Sequence, residues 1–172
     1  MSLILSPQEQ ASFDGAIRVV TVKGPLSLFR LCGKTASGTP SNPYGRFWFN
    51  EKFFWRMLDV LTDTIYSTAQ LNHYLRYILR EYTAVCHDWN TFTSFYQLAL
   101  PTQQQLEVAV GRIAPQPFYS SSDPKQRASL PHEILVGGEF QYIVDLEANQ
   151  GLKQYVQGPR PLLVSLSREA RV

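Results

Sequence analysis

The stretch Gly137-Gly138-Glu139-Phe140-Gln141-Tyr142 places two hydrogen-bonding side chains two residues apart. Side chains alternate along a strand, so Glu139 and Gln141 share one face while Phe140 and Tyr142 share the other. The paired glycines permit a tight bend and let a ligand approach the backbone closely. This pattern suits either a ligand site or a solvated strand face. Two earlier stretches have the same character, a strand with a polar group beside glycine and aromatics. They are "SLFRLCG" (27–33), with Arg30, and "YGRFWFN" (44–50), with Phe47 and Trp48. Taken singly, each has an ordinary reading. A late-strand arginine suits a solvent edge, Phe47 and Trp48 suit a core, and Glu139 after a Gly-Gly turn suits water. The functional inference rests on the three together, in this order, around a helical block.

Other chemistries find no support. There is no G-x-S-x-G elbow, phosphate-binding P-loop or G-x-G-x-x-G turn. His73, His87 and His132 are scattered, with no i, i+4 pair and no C-x-x-C, so no metal is expected. Cys86 and His87 are adjacent, which on a helix points them about 100° apart and makes a poor nucleophile–base pair. With 172 residues, 44% of them hydrophobic, the chain suits one domain over 1–172 with a substantial core. The net charge of +2 and the lack of a basic block disfavour duplex nucleic acid as primary partner. Two cysteines do not make a disulfide framework. The N-terminus lacks a basic segment before a long apolar run, and no stretch approaches a membrane span, so cytoplasmic action is expected.

The elements that must position these residues are legible in outline. Residues 17–22, 26–32 and 46–50 read as strands, and 34–45 as a loop. Residues 51–61, with Phe54, Trp55, Leu58 and Leu61, read as a helix, as does the run from Thr68 with Leu71, Tyr74, Leu75, Ile78 and Tyr82. Asp88 suits the N-cap of a third helix over 89–98, ended by Pro101. Strands resume at 106–114, 139–146 and 161–166, with a long polar loop at 114–133. The expected class is α+β, with mixed sheets and a helical insert between early and late strands.

Over most of residues 26–146 the chain resembles the ADP-ribosyltransferase superfamily. Within it, the likeness is to toxin branches that include NAD glycohydrolases of the tuberculosis-necrotizing-toxin kind and Rhs-associated effectors. Those proteins carry a first-strand arginine, a glycine- and aromatic-bearing second strand, and a late strand with Gln or Glu. "VAVGRIAPQ" (108–116) followed by "LPHEILVGGEFQY" (130–142) is similar to their tail motifs. The order here is E-x-Q rather than E-x-E or Q-x-E, "GRFWF" replaces the second-strand serine motif, and residues are inserted between "LP" and "GG". The resemblance implies a two-sheet core and NAD+ as substrate, with Arg30 on the pyrophosphate and Phe47 or Trp48 stacked on the nicotinamide. It further implies Gln141 on the ribose hydroxyls and Glu139 supplying negative charge or positioning an acceptor. Tyr44 is a further ring for that pocket, Gly138 a point of close backbone approach, and Arg46 and Arg112 secondary phosphate contacts. Gln141 at the final position aligns the chain with the glycohydrolases, whose acceptor is water. Mono-ADP-ribosyl transfer to a protein or nucleic acid, NAD+ binding without turnover, and a non-catalytic interaction module using helices around Trp55 and Trp89 remain as alternatives. Toxin domains of this kind, some delivered as secreted effectors, imply an immunity protein or antitoxin as partner.

Overall fold

In the computed structural model, which describes residues 3–34, 38–53, 55–56, 68–85, 90–117 and 134–162, an α+β chain wraps one sheet. In order it forms α1 (Pro7–Ala11), β1 (Phe13–Lys23), β2 (Leu26–Cys32), β3 (Phe47–Asn50), α2 (Thr68–Thr83), β4 (Ser94–Leu100) and β5 (Gln105–Ile113). Then come β6 (Gln116–Pro117), β7 (Ile134–Leu135), β8 (Phe140–Val144), a 3-10 helix (Gln150–Tyr155) and β9 (Val156–Pro161). Residues 51–53 and 55–56 are also helical. The main sheet has seven strands in the order β1-β5-β8-β3-β2-β4-β9, and β6 and β7 form a separate ribbon. Every described pairing is antiparallel, so the expected mixed sheets are not found.

Both faces of the sheet are covered. Alternation puts Leu28, Trp48, Leu98, Val108 and Val144 on one face, where Leu152 and Tyr155 of the 3-10 helix pack over them. The other face carries Phe29, Leu31, Phe49 and Phe95. Leu75 and Leu79, four apart on α2, close over that cluster, while Tyr74 and Tyr77 on the opposite side of the helix are exposed. Farther along the same face, Phe13, Ala109 and Ile143 pack with Leu3, Leu5 and Phe47. One face therefore bears two separate apolar clusters, under α2 and under the N-terminal segment. No helix among the described residues is long and apolar enough to cross a membrane.

The middle of the sheet is its narrowest part. β2 and β3 pair only at Leu28–Asn50 and Phe29–Phe49, whereas β2 runs against β4 from Leu26–Leu100 to Cys32–Ser94. Past Phe29 the β2–β3 pair separates.

Two expected elements are corrected. The helix expected over 89–98 is not found: from residue 94 the chain forms β4 (Ser94–Leu100), between β2 and β9. Tyr96, Leu98 and Leu100 alternate with Phe95, Gln97 and Ala99, which is a period of two, and Phe92 sits at φ 51, in the left-handed region that a right-handed helix cannot pass through. Asp88 and Trp89 lie outside the described residues. The last strand spans Val156–Pro161 rather than starting at 161, and Leu162 is in a turn. Gly158, Pro159 and Pro161 disguise it, and an edge position tolerates them because one side needs no ladder. Phe54, Leu58, Leu61 and residues 163–166 lie outside the described residues.

Leu79 has no exposed surface, so Leu79→Ala should lower unfolding free energy by about 3 kcal/mol in urea melts. Tyr77→Ala, on the exposed side of α2, should change it by less than about 0.5 kcal/mol.

Candidate functional site

Where β2 and β3 part, the Arg30 side chain replaces the missing ladder. Its Nη1 donates to the Phe47 carbonyl at 3.2 Å and its Nε to the Asn42 carbonyl at 3.1 Å. A Cβ on Gly45 would lie 2.1 Å from Arg30 Nη2, so the guanidinium rests directly on the Gly45 backbone. No carboxylate among the described residues pairs with Arg30. Desolvation by burial holds its pKa below the ordinary arginine value, partly offset by Cys32 and Tyr96.

Beside this plug lies a cavity of about 580 Å³, a size that suits a small-molecule ligand. It fills the gap on the α2 face between the two apolar clusters. Phe47, Phe49 and Gln141 of the sheet, Ser12 after α1, Thr83–Val85 at the end of α2, and Asn42, Asn90 and Phe92 from loops contribute to its wall. Among the described residues Arg30 is the only charged side chain on that wall; the other polar residues described there are amides and hydroxyls.

Of the residues expected at a site, the cavity brings together Arg30, Phe47 and Gln141. Register assigns Arg30 and Gln141 to opposite sheet faces, with Arg30 across from Tyr96 and Gln141 across from Phe49 and Gly111. Both nonetheless line the cavity, at the place where the β2–β3 ladder stops. Gln141 is 5% exposed, and its Nε2 donates to Ser12 Oγ at 3.0 Å.

Glu139, Trp48, Tyr44 and Gly138 are not on the wall. Glu139 precedes β8, and its carboxylate pairs with Arg56. Trp48 has no exposed surface; its indole donates to the Gly45 carbonyl at 2.8 Å and packs in the opposite core. Tyr44 belongs to that same core, with Lys153 Nζ 4.7 Å from its ring. Gly138, at φ +84, accepts a hydrogen bond from Arg112 Nη1, so Arg112 is engaged at the β5–β8 corner. Arg46 is tied to Glu9 at 2.9 Å and to the Ile4 carbonyl at 2.8 Å.

Ser12, Asn42 and Asn90 escaped the sequence reading. The signal for Ser12 was present in Ser6-Pro7-Gln8-Glu9, a capping box with proline in the first turn that marks a short helix ending at Ser12. Asn42 and Asn90 sit in loops, where nothing in the local sequence sets them apart. Among the described residues no group of three or more His, Cys, Asp or Glu is placed to hold a metal ion. Compared with models of protein families, with curated proteins and with solved structures, the chain has no match.

Behind Arg30 on the same strand face, burial pushes the Cys32 thiol up to about 11 despite the nearby guanidinium, and burial also raises Tyr96. Both groups are held neutral in the fold, so their contribution is full below the unfolded pKa and is lost as pH rises through the folded value. Unfolding free energy should therefore fall between about pH 9 and 11. Cys32→Ala should make that decline shallower in denaturant melts across the range; an unchanged slope would show that the thiol is not the titrating group.

Proposed function

We propose that this chain binds NAD+ in the cavity and cleaves the nicotinamide–ribose bond, passing ADP-ribose to water. One observation carries the reading: Arg30, the only cation on the described wall, is partly desolvated, presented by two backbone carbonyls, and pairs with no carboxylate among the described residues. A cation in that condition favours an anionic ligand, and a guanidinium suits a pyrophosphate because it donates two hydrogen bonds in parallel.

The rest of the wall fits the other parts of such a ligand. Phe47, half-buried on the wall, offers ring surface for the nicotinamide, in the role first expected of Phe47 or Trp48, while Phe49 and Phe92 are buried in the core beside it. Gln141 offers a carboxamide to ribose hydroxyls. Cleavage passes through an oxocarbenium-like state, and nicotinamide leaves as a neutral molecule, so no strong general acid is needed. Water adds to the ribose carbon and loses one proton to solvent, giving ADP-ribose, nicotinamide and H+. The protein's contribution in this reading is to hold the dinucleotide bent and its ribose fixed.

A second reading, NAD+ binding without turnover, is favoured by a separate observation. The described wall holds no Asp or Glu to face the developing positive charge, and Glu139 is engaged by Arg56. Nicotinamide release separates the two. Purified protein with NAD+ should yield nicotinamide and free ADP-ribose in equal amounts. Arg30→Lys should lower kcat/KM by about tenfold to a hundredfold, the range for a lost charged hydrogen bond, and Gln141→Ala by about tenfold. Calorimetric binding of NAD+ with no release would select the binder. Label transferred to a macromolecule would select a transferase, and neither binding nor release would sink the NAD+ reading.

A further inference from the structure

We propose that Ser12 is a positioning residue that turns the Gln141 carboxamide so that its carbonyl oxygen meets the ligand, which must present a hydroxyl there. The inference rests on the NAD+ reading of the cavity and assigns the polarity of one contact within it.

A serine hydroxyl has one hydrogen to donate. Ser12 spends it on the Glu9 carbonyl at 2.7 Å, closing the last turn of α1. Toward Gln141 the Ser12 oxygen can then only accept. The carboxamide must present Nε2 to it, as it does at 3.0 Å, because the reversed amide would set two acceptors against each other. That places Oε1 at the opposite edge of the planar carboxamide. Oε1 makes no hydrogen bond among the described residues, yet it is not sealed from solvent. Gln141 itself is 5% exposed and lines the cavity, so the remaining access of Oε1 is cavity access. A group that hydrogen-bonds there must donate, as a ribose hydroxyl does and a phosphate oxygen does not.

Ser12 is itself fixed. Its backbone carbonyl accepts from Ala114 N at 2.9 Å, which ties α1 to the end of β5. Its partner Glu9 is buried, with one carboxylate oxygen on Ser6 N at 2.8 Å and the other on Arg46 at 2.9 Å. The hydroxyl's direction is therefore set by the helix end and not by the ligand.

The test uses full-length protein and two substitutions. Ser12→Ala removes the acceptor and Ser12→Thr keeps it. The Gln141 side-chain amide, identified in 15N–1H spectra by its loss in Gln141→Ala, should shift in Ser12→Ala and return in Ser12→Thr. Affinity for NAD+ should fall about five- to tenfold in Ser12→Ala and stay within about twofold of wild type in Ser12→Thr. Of two NAD+ analogues, each lacking one hydroxyl of the nicotinamide-bearing ribose, one should bind wild type that much more weakly and bind Ser12→Ala no more weakly than NAD+ does. An amide resonance and an NAD+ preference unmoved by Ser12→Ala would overturn the proposal. An amide that responds as expected in a protein without affinity for NAD+ would retire NAD+ as ligand and leave the positioning by Ser12 standing.

Discussion

Beyond the Phe29–Phe49 pair the β2–β3 ladder stops, and the Arg30 guanidinium supplies hydrogen bonds that a backbone amide would have made in a continuous sheet. Everything else at the site follows from that substitution. The gap gives the cavity its sheet-side wall, and the guanidinium keeps Phe47 and the Asn42 loop satisfied across it. Gly45 has no side chain because the guanidinium occupies the space one would need. A charged plug in place of a ladder is costly, since desolvation acts on Arg30 with no carboxylate among the described residues to offset it. Groups held in that way concentrate at functional sites, where a ligand completes their hydrogen bonding.

The two faces of the sheet divide the labour. The face carrying Trp48, Leu98 and Val108 is filled without interruption, and Cys32 and Tyr96 lie at its margin as neutral groups behind the guanidinium. The other face is filled in two patches, and the interval between them is the cavity. Aromatic residues serve both faces: Trp48 is spent on the first core, while Phe47 and Phe49, its neighbours in sequence, turn toward the second face and the cavity. Alternation along four residues of β3 thus decides which rings are structural and which can meet a ligand.

The sequence pattern locates part of the strand content; β1, expected over 17–22, runs Phe13–Lys23. β2 was delimited residue for residue, β3, β5 and β8 within a residue or two, and α2 started where the periodicity does, because period and breakers there agree. β4 falls largely within the stretch that Asp88 and Pro101 mark as a helix over 89–98, and only pairing with β2 and β9 shows it to be a strand. At the site, alternation correctly separated Gln141 from Phe140 and Tyr142. It could not foretell that Arg30, assigned to the other face, would line the same cavity, at the place where the ladder ends early. Nor could it tell that Glu139 lies one residue before the strand begins, paired with Arg56 at a sequence distance that no local pattern spans.

The smallest element bears on the site out of proportion to its length. α1 has five residues, too few to persist as an isolated helix, and it is held by a capping box and by the reach of Glu9 to Arg46. The seven-stranded sheet draws on apolar clusters that involve no residue of α1. Leu3 and Leu5 before it and Phe13 after it do pack on the sheet, so α1 is anchored through the chain on either side, and a change in either flank reaches Ser12 and the cavity wall through the main chain.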